Sequence, residues 1–321
     1  MLTGRVPSWM ARFKSTRHSP RCHSMSSRSL ATSAAGTADS FAYCREYVQK
    51  HDYEGFLTSQ FYPRHVQGGY FALKAFYVEL AMVPESVSNT VIGQMRMQFW
   101  RDAVKGISDG RPPQHPIAMA LYETSQSVHL PAYHLKRIID ARDSELQMPT
   151  HLTTDSLTAL AESTSSTLLY LLLSLMSLPS STLSHAASHL GVAQTFSTLL
   201  RAFPFHTSKN RMIIPAEITA KHGVNQEEIL RKRESTKDLE DAVFEFATIA
   251  NDHLITARDM FKETGGRVPQ VAMPIFSAGI PVASFLRRLE TVNFNVLHPS
   301  LQVRDWKLPW QVWRSYYKRT F

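Results

Sequence analysis

Gly69-Tyr-Phe-Ala-Leu-Lys-Ala-Phe-Tyr-Val-Glu-Leu-Ala-Met-Val-Pro-Glu85 and Leu190-Gly-Val-Ala-Gln-Thr-Phe-Ser-Thr-Leu-Leu-Arg-Ala-Phe-Pro-Phe-His206 decide how this chain is read. Both have the apolar spacing of helices, and each brings two positions four apart onto one face near its end. Those positions are Ala81 and Glu85 in the first stretch, Ala202 and His206 in the second. Carboxylates at that spacing stand about 5–6 Å apart at Cβ, and two facing pairs hold Mg²⁺ ions that clamp a diphosphate. Magnesium wants oxygen ligands, and a departing diphosphate needs its charge offset. Alanine supplies neither ligand nor charge, so these two pairs of positions are not expected to hold such a cluster. Glu85, the one acid among the four, follows Pro84, which predicts a helix ending at Val83 and a carboxylate turned away.

Outward from these stretches, Phe41 to the C-terminus reads as helix after helix. The pattern places helices near 40–52, 64–83, 86–108, 115–128, 131–146, 155–177, 180–203, 215–222, 226–233, 236–263, 281–291 and 309–319. Asp155 is expected to cap the leucine-rich helix, and Asn225 to cap the next but two, with Glu228 at the capping-box position. No glycine-rich phosphate loop occurs, which argues against a nucleotide fold. The chain of 321 residues shows no linker, so one large all-α domain is expected.

The net charge of +8 is concentrated at one end. Residues 1–38 hold Arg5, Arg12, Lys14, Arg17, Arg21 and Arg28 with no acid, leaving 29 basic against 27 acidic residues in the remainder. Val6, Trp9, Met10 and Phe13 recur at helical spacing among those arginines, which is the make-up of a mitochondrial transit peptide. Arg28-Ser29-Leu30 before Ala31 suits a matrix-protease cleavage site. A basic tail that binds lipid or nucleic acid is the alternative for this segment. The longest apolar run, Leu168 to Leu178, is about half of the roughly 20 residues a spanning helix needs, so a soluble or peripheral protein is expected. Cys22 would leave with the transit peptide, and Cys44 would stay unpaired.

In framing and order the two opening stretches resemble the signature segments of the squalene/phytoene synthase family, each of which normally carries an Asp-x-x-x-Asp pair. Met95-Arg-Met-Gln-Phe-Trp-Arg-Asp102 resembles the segment after the first motif. Asn210-Arg-Met-Ile-Ile-Pro215, with Glu217 and Gly223-Val, resembles the one after the second. The resemblance covers about residues 41–292. Ala75-Phe-Tyr-Val-Glu-Leu-Ala81, Arg96-Met-Gln-Phe-Trp100, His185-Ala-Ala-Ser-His189 and His298-Pro-Ser-Leu301 are similar to the branch of that family that serves mitochondrial complex I assembly. This resemblance implies an isoprenoid-synthase-like helical domain over 39–295 after a cleaved transit peptide (1–38), with an aromatic and basic extension over 296–321. It also implies a matrix location at the inner membrane, with complex I subunits or assembly intermediates as partners. No catalytic, cofactor or metal residue is assigned, and no nucleic acid. A prenyl-diphosphate transferase, active or relict, and an isoprenoid- or lipid-binding protein are the alternatives, the latter because the leucines of 155–177 would either line or fill a central cavity.

Single residues carry two readings each. Glu79 is a displaced metal ligand or a salt-bridged helical acid, and Arg201 meets an anion or pairs with an acid such as Glu79. His185 and His189, four apart, with His206, suit metal or plain packing. Asp140, Asp143 and Glu145 fit a helix turning into a loop. Trp306, Trp310, Trp313 and Tyr317, interleaved with Lys307, Arg314, Lys318 and Arg319, form a stripe that seats on a membrane or partner, or packs onto the body.

Overall fold

The structure, a computed structural model, describes the backbone of residues 29–321 and the side chains of residues 39–321. The stripe from Val6 to Phe13 and Cys22 lie outside the described residues. Among the described residues the chain is helical with no strand, which is the all-α fold expected.

The first half is α1 (Ser29–His51), α2 (Tyr53–Thr58), α3 (Arg64–Ser86), α4 (Thr90–Ser108), α5 (Pro116–Ser127), α6 (Ala132–Gln147), α7 (Thr154–Ala161) and α8 (Thr167–Leu175). The second is α9 (Ser181–Ser208), α10 (Ala216–Lys221), α11 (Gln226–Lys232), α12 (Lys237–Asp259), α13 (Met273–Phe276), α14 (Gly279–Thr291), α15 (Pro299–Gln302) and α16 (Leu308–Lys318). Helix α3 is buried nearly all round, from Val66 through Tyr70, Leu73, Phe76 and Leu80 to Val83, as befits the middle helix of a large core. A second cluster forms where α9 lies along α12, with Phe196 stacked on Phe246 at 4.7 Å between ring centroids.

Both proline-bearing helices run past their expected ends. Pro84 and Pro204 lie inside α3 and α9, which continue to Ser86 and Ser208. In a final turn a proline forfeits only one ladder bond, which the packed helix absorbs. The cap of α7 is Thr153, whose side chain accepts from the Ser156 N–H, and Asp155 sits inside the first turn. Asn225 caps α11 as expected, but Glu228 turns to Lys232 at 2.6 Å instead of closing a capping box.

The leucine-rich segment is not one helix. A π turn over Glu162–Ser166 separates α7 from α8, and Thr164, Ser165, Ser166 and Thr167 are all buried there. Gly191 of α9 explains the turn's position: a Cβ on it would fall 2.4 Å from the Ser166 nitrogen, so only glycine lets the two backbones meet. Ser166 completes the contact by donating to the Ser188 carbonyl at 2.7 Å.

The C-terminal residues pack onto the body. Leu308, Val312 and Phe321 are buried, Tyr316 meets Phe61 at 4.6 Å, and the Val268 N–H donates to the Arg319 carbonyl. The aromatic stripe is not what packs: Trp306, Trp310, Trp313 and Tyr317 all face outward.

Candidate functional site

The ends of α3 and α9 come together where Glu85 meets Arg211 and where the charges of Glu85 and Glu145 reach His206, and the charges there are matched within the protein. Arg142 of α6 supplies one cation. Its Nη1 donates to Glu145 at 2.7 Å and its Nη2 to the Tyr77 hydroxyl at 3.1 Å, with the guanidinium carbon 5.3 Å from the Tyr77 ring centroid. Burial works against this charge, and Glu145 with Tyr77 outweighs it, holding the arginine firmly protonated.

From Arg142 a chain of hydrogen bonds runs to α9. Tyr77 bonds Ser165 of the π turn at 2.7 Å, Ser165 bonds Thr195 of α9 at 2.7 Å, and Thr195 donates to the Gly191 carbonyl at 3.1 Å. Arginine only donates and a carbonyl only accepts, so every proton in the chain points the same way, from α6 through α3 and the π turn to α9. Such a chain ties four elements together. The Nε of Arg142 and the Nδ1 of His206 are buried without a protein partner, and burial, followed by Arg211, depresses His206 below the usual imidazole range.

The remaining acids are taken up in the same manner. Glu85 meets Arg211 at 3.2 Å, from the loop after α9. Asp140 and Asp143 clamp Arg101 at 2.9 and 2.6 Å, from within α6 and not from a loop. Glu79 points to α1, where the Tyr47 hydroxyl donates to it at 2.7 Å. Arg201 is paired with Glu54 of α2, not with Glu79. Lys74, buried in α3, meets Asp52 at 2.6 Å, and Asp52 also accepts from the Gly55 N–H as the cap of α2. Burial raises the Asp52 carboxyl, but Lys74 overrides this and holds it below the usual carboxylate range.

Sequence reading missed Arg142, Tyr77, Ser165 and Thr195, whose only signal was a cation one turn from Glu145. Their partnership depends on helices far apart along the chain.

His185 and His189 lie elsewhere, apart from His206. His189 and His253 of α12 face each other with Nδ1 atoms 2.9 Å apart, and His185 is tilted against His189 at 5.4 Å between centroids. Burial first, and then the neighbouring imidazole, depresses both His189 and His253. Among the described residues no three His, Cys, Asp or Glu side chains converge as a ligand set. Cys44 is fully buried and its thiol is pushed up to about 12 by that burial, so it is a packing residue and not a nucleophile.

Beside Lys74 and Asp52, a cavity of about 30 Å³ is lined by Leu168, Leu169 and Leu172 with Tyr62 and Tyr70. That space holds about one water. The leucines of α8 are at most 3% exposed and fill the core at this place.

Comparison with known proteins gives the same architecture. The family model described as squalene/phytoene synthase matches residues 48–314. A dehydrosqualene synthase crystallised with a ligand superposes with a TM-score of 0.76 at 16% identity, covering 89% of this chain and 99% of that one. A squalene synthase from Alicyclobacillus acidocaldarius gives 0.71 at 15% identity, covering 81% and 97%. Much nearer in sequence are the proteins called NADH dehydrogenase (ubiquinone) complex I, assembly factor 6, from Rattus norvegicus and Homo sapiens. The first is 39% identical over 94% of this chain and 90% of its own length, the second 37% over 92% and 88%. The Drosophila melanogaster homologue is 35% identical over 86% of this chain and 84% of its own length. With its helices, their order and nearly its whole length accounted for, the chain belongs to the squalene/phytoene synthase family.

Proposed function

We propose that the chain is a non-catalytic assembly factor for mitochondrial respiratory complex I, a chaperone or scaffold on a prenyl-synthase fold. Residues 1–38 serve as its transit peptide, and it works at the matrix side of the inner membrane, bound there peripherally. Its partners are complex I subunits or assembly intermediates. Among the described residues no helix is long and apolar enough to cross a membrane.

The observation that carries this reading is the matched charge at the ends of α3 and α9. Where facing carboxylate pairs would hold magnesium, Ala81 and Ala202 offer no oxygen, His206 offers a nitrogen, and Glu85 is engaged by Arg211. Glu145, a further acid whose charge reaches His206, is claimed by Arg142. Magnesium selects oxygen ligands and needs negative charge that nothing else has claimed, so this donor set does not fit it. The names of the relatives that match along most of the chain point to complex I assembly as the work the fold now does.

Deleting the gene and measuring oxygen consumption on NADH-linked and succinate-linked substrates tests the proposal. NADH-linked respiration is expected to fall while succinate-linked respiration holds. Equal loss of both, or of neither, counts against a complex I role.

A further inference from the structure

We propose that α16 and the turn before it form a seat for an anionic phospholipid surface, the physical means of the peripheral membrane association on which this inference rests. The helix is held to the body along one side. Leu308 and Val312 are buried, Phe321 packs against Phe261 and Phe276, and Arg258 donates to the Phe321 carbonyl. Trp306, in the turn before the helix, precedes Trp310, Trp313 and Tyr317, which at 100° per residue form one narrow stripe on the opposite side. They are 80%, 59%, 51% and 66% exposed. The remaining tryptophan among the described residues, Trp100, is 2% exposed, so the exposed indoles are gathered on this one face.

Charge decides what covers it. From Trp306 to Phe321 there are four cations and no acid. Asp305, the next acid along the chain, is turned inward onto the Ser284 hydroxyl at 2.7 Å and the Lys307 N–H at 2.9 Å. Lys307 lies 5.4 Å from the Trp306 ring and Arg314 5.4 Å from the Trp310 ring, so cations stand beside the aromatic faces. Arg314 and Lys318 fall together along one flank of the stripe. Indole and phenol rings settle at headgroup depth, where one end is apolar and the other wet, and cations beside them reach the phosphates. The helical part of the stripe, Trp310 to Tyr317, runs about 10 Å along the surface, enough to lie in the interface as a fixed ridge without inserting across it. A protein partner would as readily be met by a face of mixed charge; one sign of charge with interfacial aromatics matches phosphate headgroups.

The test is flotation of the full chain with vesicles of phosphatidylcholine alone, and of phosphatidylcholine with about one part in five cardiolipin. Binding to the cardiolipin vesicles is expected, with a blue shift of tryptophan emission. Because the side chains are exposed, Trp310→Ser/Trp313→Ser/Tyr317→Ser leaves folding intact by circular dichroism and is expected to weaken binding at least tenfold. The second variant, Arg314→Gln/Lys318→Gln, is expected to weaken it about fivefold for each cation removed. No binding by the wild type overturns the proposal. So does binding that both variants retain, which places the lipid contact elsewhere, for instance on the basic residues 1–38. The vesicles contain no complex I component, so failure here leaves the respiration test to judge the assembly role by itself.

Discussion

Replacing Asp52 by asparagine isolates what the buried Lys74 ion pair does. The substitution keeps an Oδ1 for the Gly55 N–H, bonded at 2.8 Å, so the cap of α2 survives and only the charge is removed. Lys74, 6% exposed, is then a cation without a counter-ion. At the 2.6 Å separation the gross attraction is about 6 kcal/mol at an effective dielectric of 20, and desolvation offsets much of it. Breaking one side of such a pair costs about 3–5 kcal/mol, a large share of the roughly 5–15 kcal/mol of a folded domain. Adding Lys74→Met removes the orphaned charge while keeping most of the side-chain volume, and is expected to bring the loss to about 1.5 kcal/mol or less. The pH signature follows from the directions of the shifts. Asp52 lies below its usual range, so its contribution is present above about pH 4 and fades as pH falls through the folded value. Lys74 lies above its usual range, so its contribution is present below about pH 10 and fades as pH rises further. Urea unfolding followed by circular dichroism measures all of this. A single variant within about 1 kcal/mol of wild type, or a double variant no better than the single, refutes the reasoning.

Two other outcomes are expected. Gly191→Ala places a methyl carbon 2.3 Å from the Ser166 Oγ and 2.4 Å from its backbone nitrogen, so α9 and the π turn must part. The cost is about 1–3 kcal/mol, read as a lower thermal midpoint; an unchanged midpoint would mean the turn yields freely. Separately, His115, His134, His151, His189, His206 and His253 are all depressed, burial being the leading cause at each. The unfolded chain therefore takes up protons first as pH drops below about 6.5, and stability falls until the folded values are reached. The urea midpoint should be lower at about pH 5.5 than at about pH 7.5, with a smaller gap in His253→Gln, whereas equal midpoints in the wild type would contradict it.

The backbone plan was legible because α3 and α9 carry apolar residues at helical spacing over long stretches, and such stretches leave little choice. Helix ends were not, since Pro84 and Pro204 suggest stops that a final turn can ignore. The π turn left no local mark: Ser163 to Thr167 read as indifferent helix, and the glycine that bends it lies on another element. Arg201 was expected to meet an anion or to pair with an acid such as Glu79, and the six-residue α2, too short to show a period, delivers Glu54. The Arg142 chain was invisible for the same reason that it is effective: its four side chains come from four elements. For the stripe at 306–317 the spacing was evident, while its direction depended on Leu308 and Val312 claiming the body.

The measurement that bears most directly on the central claim is a calorimetric titration of the purified chain with a prenyl diphosphate in the presence of Mg²⁺, with product formation followed in the same sample. A chain whose Glu145 is held by Arg142 and whose Glu85 is held by Arg211 should give neither magnesium-dependent binding nor turnover. Magnesium-dependent binding that disappears in Glu85→Gln would contradict the account.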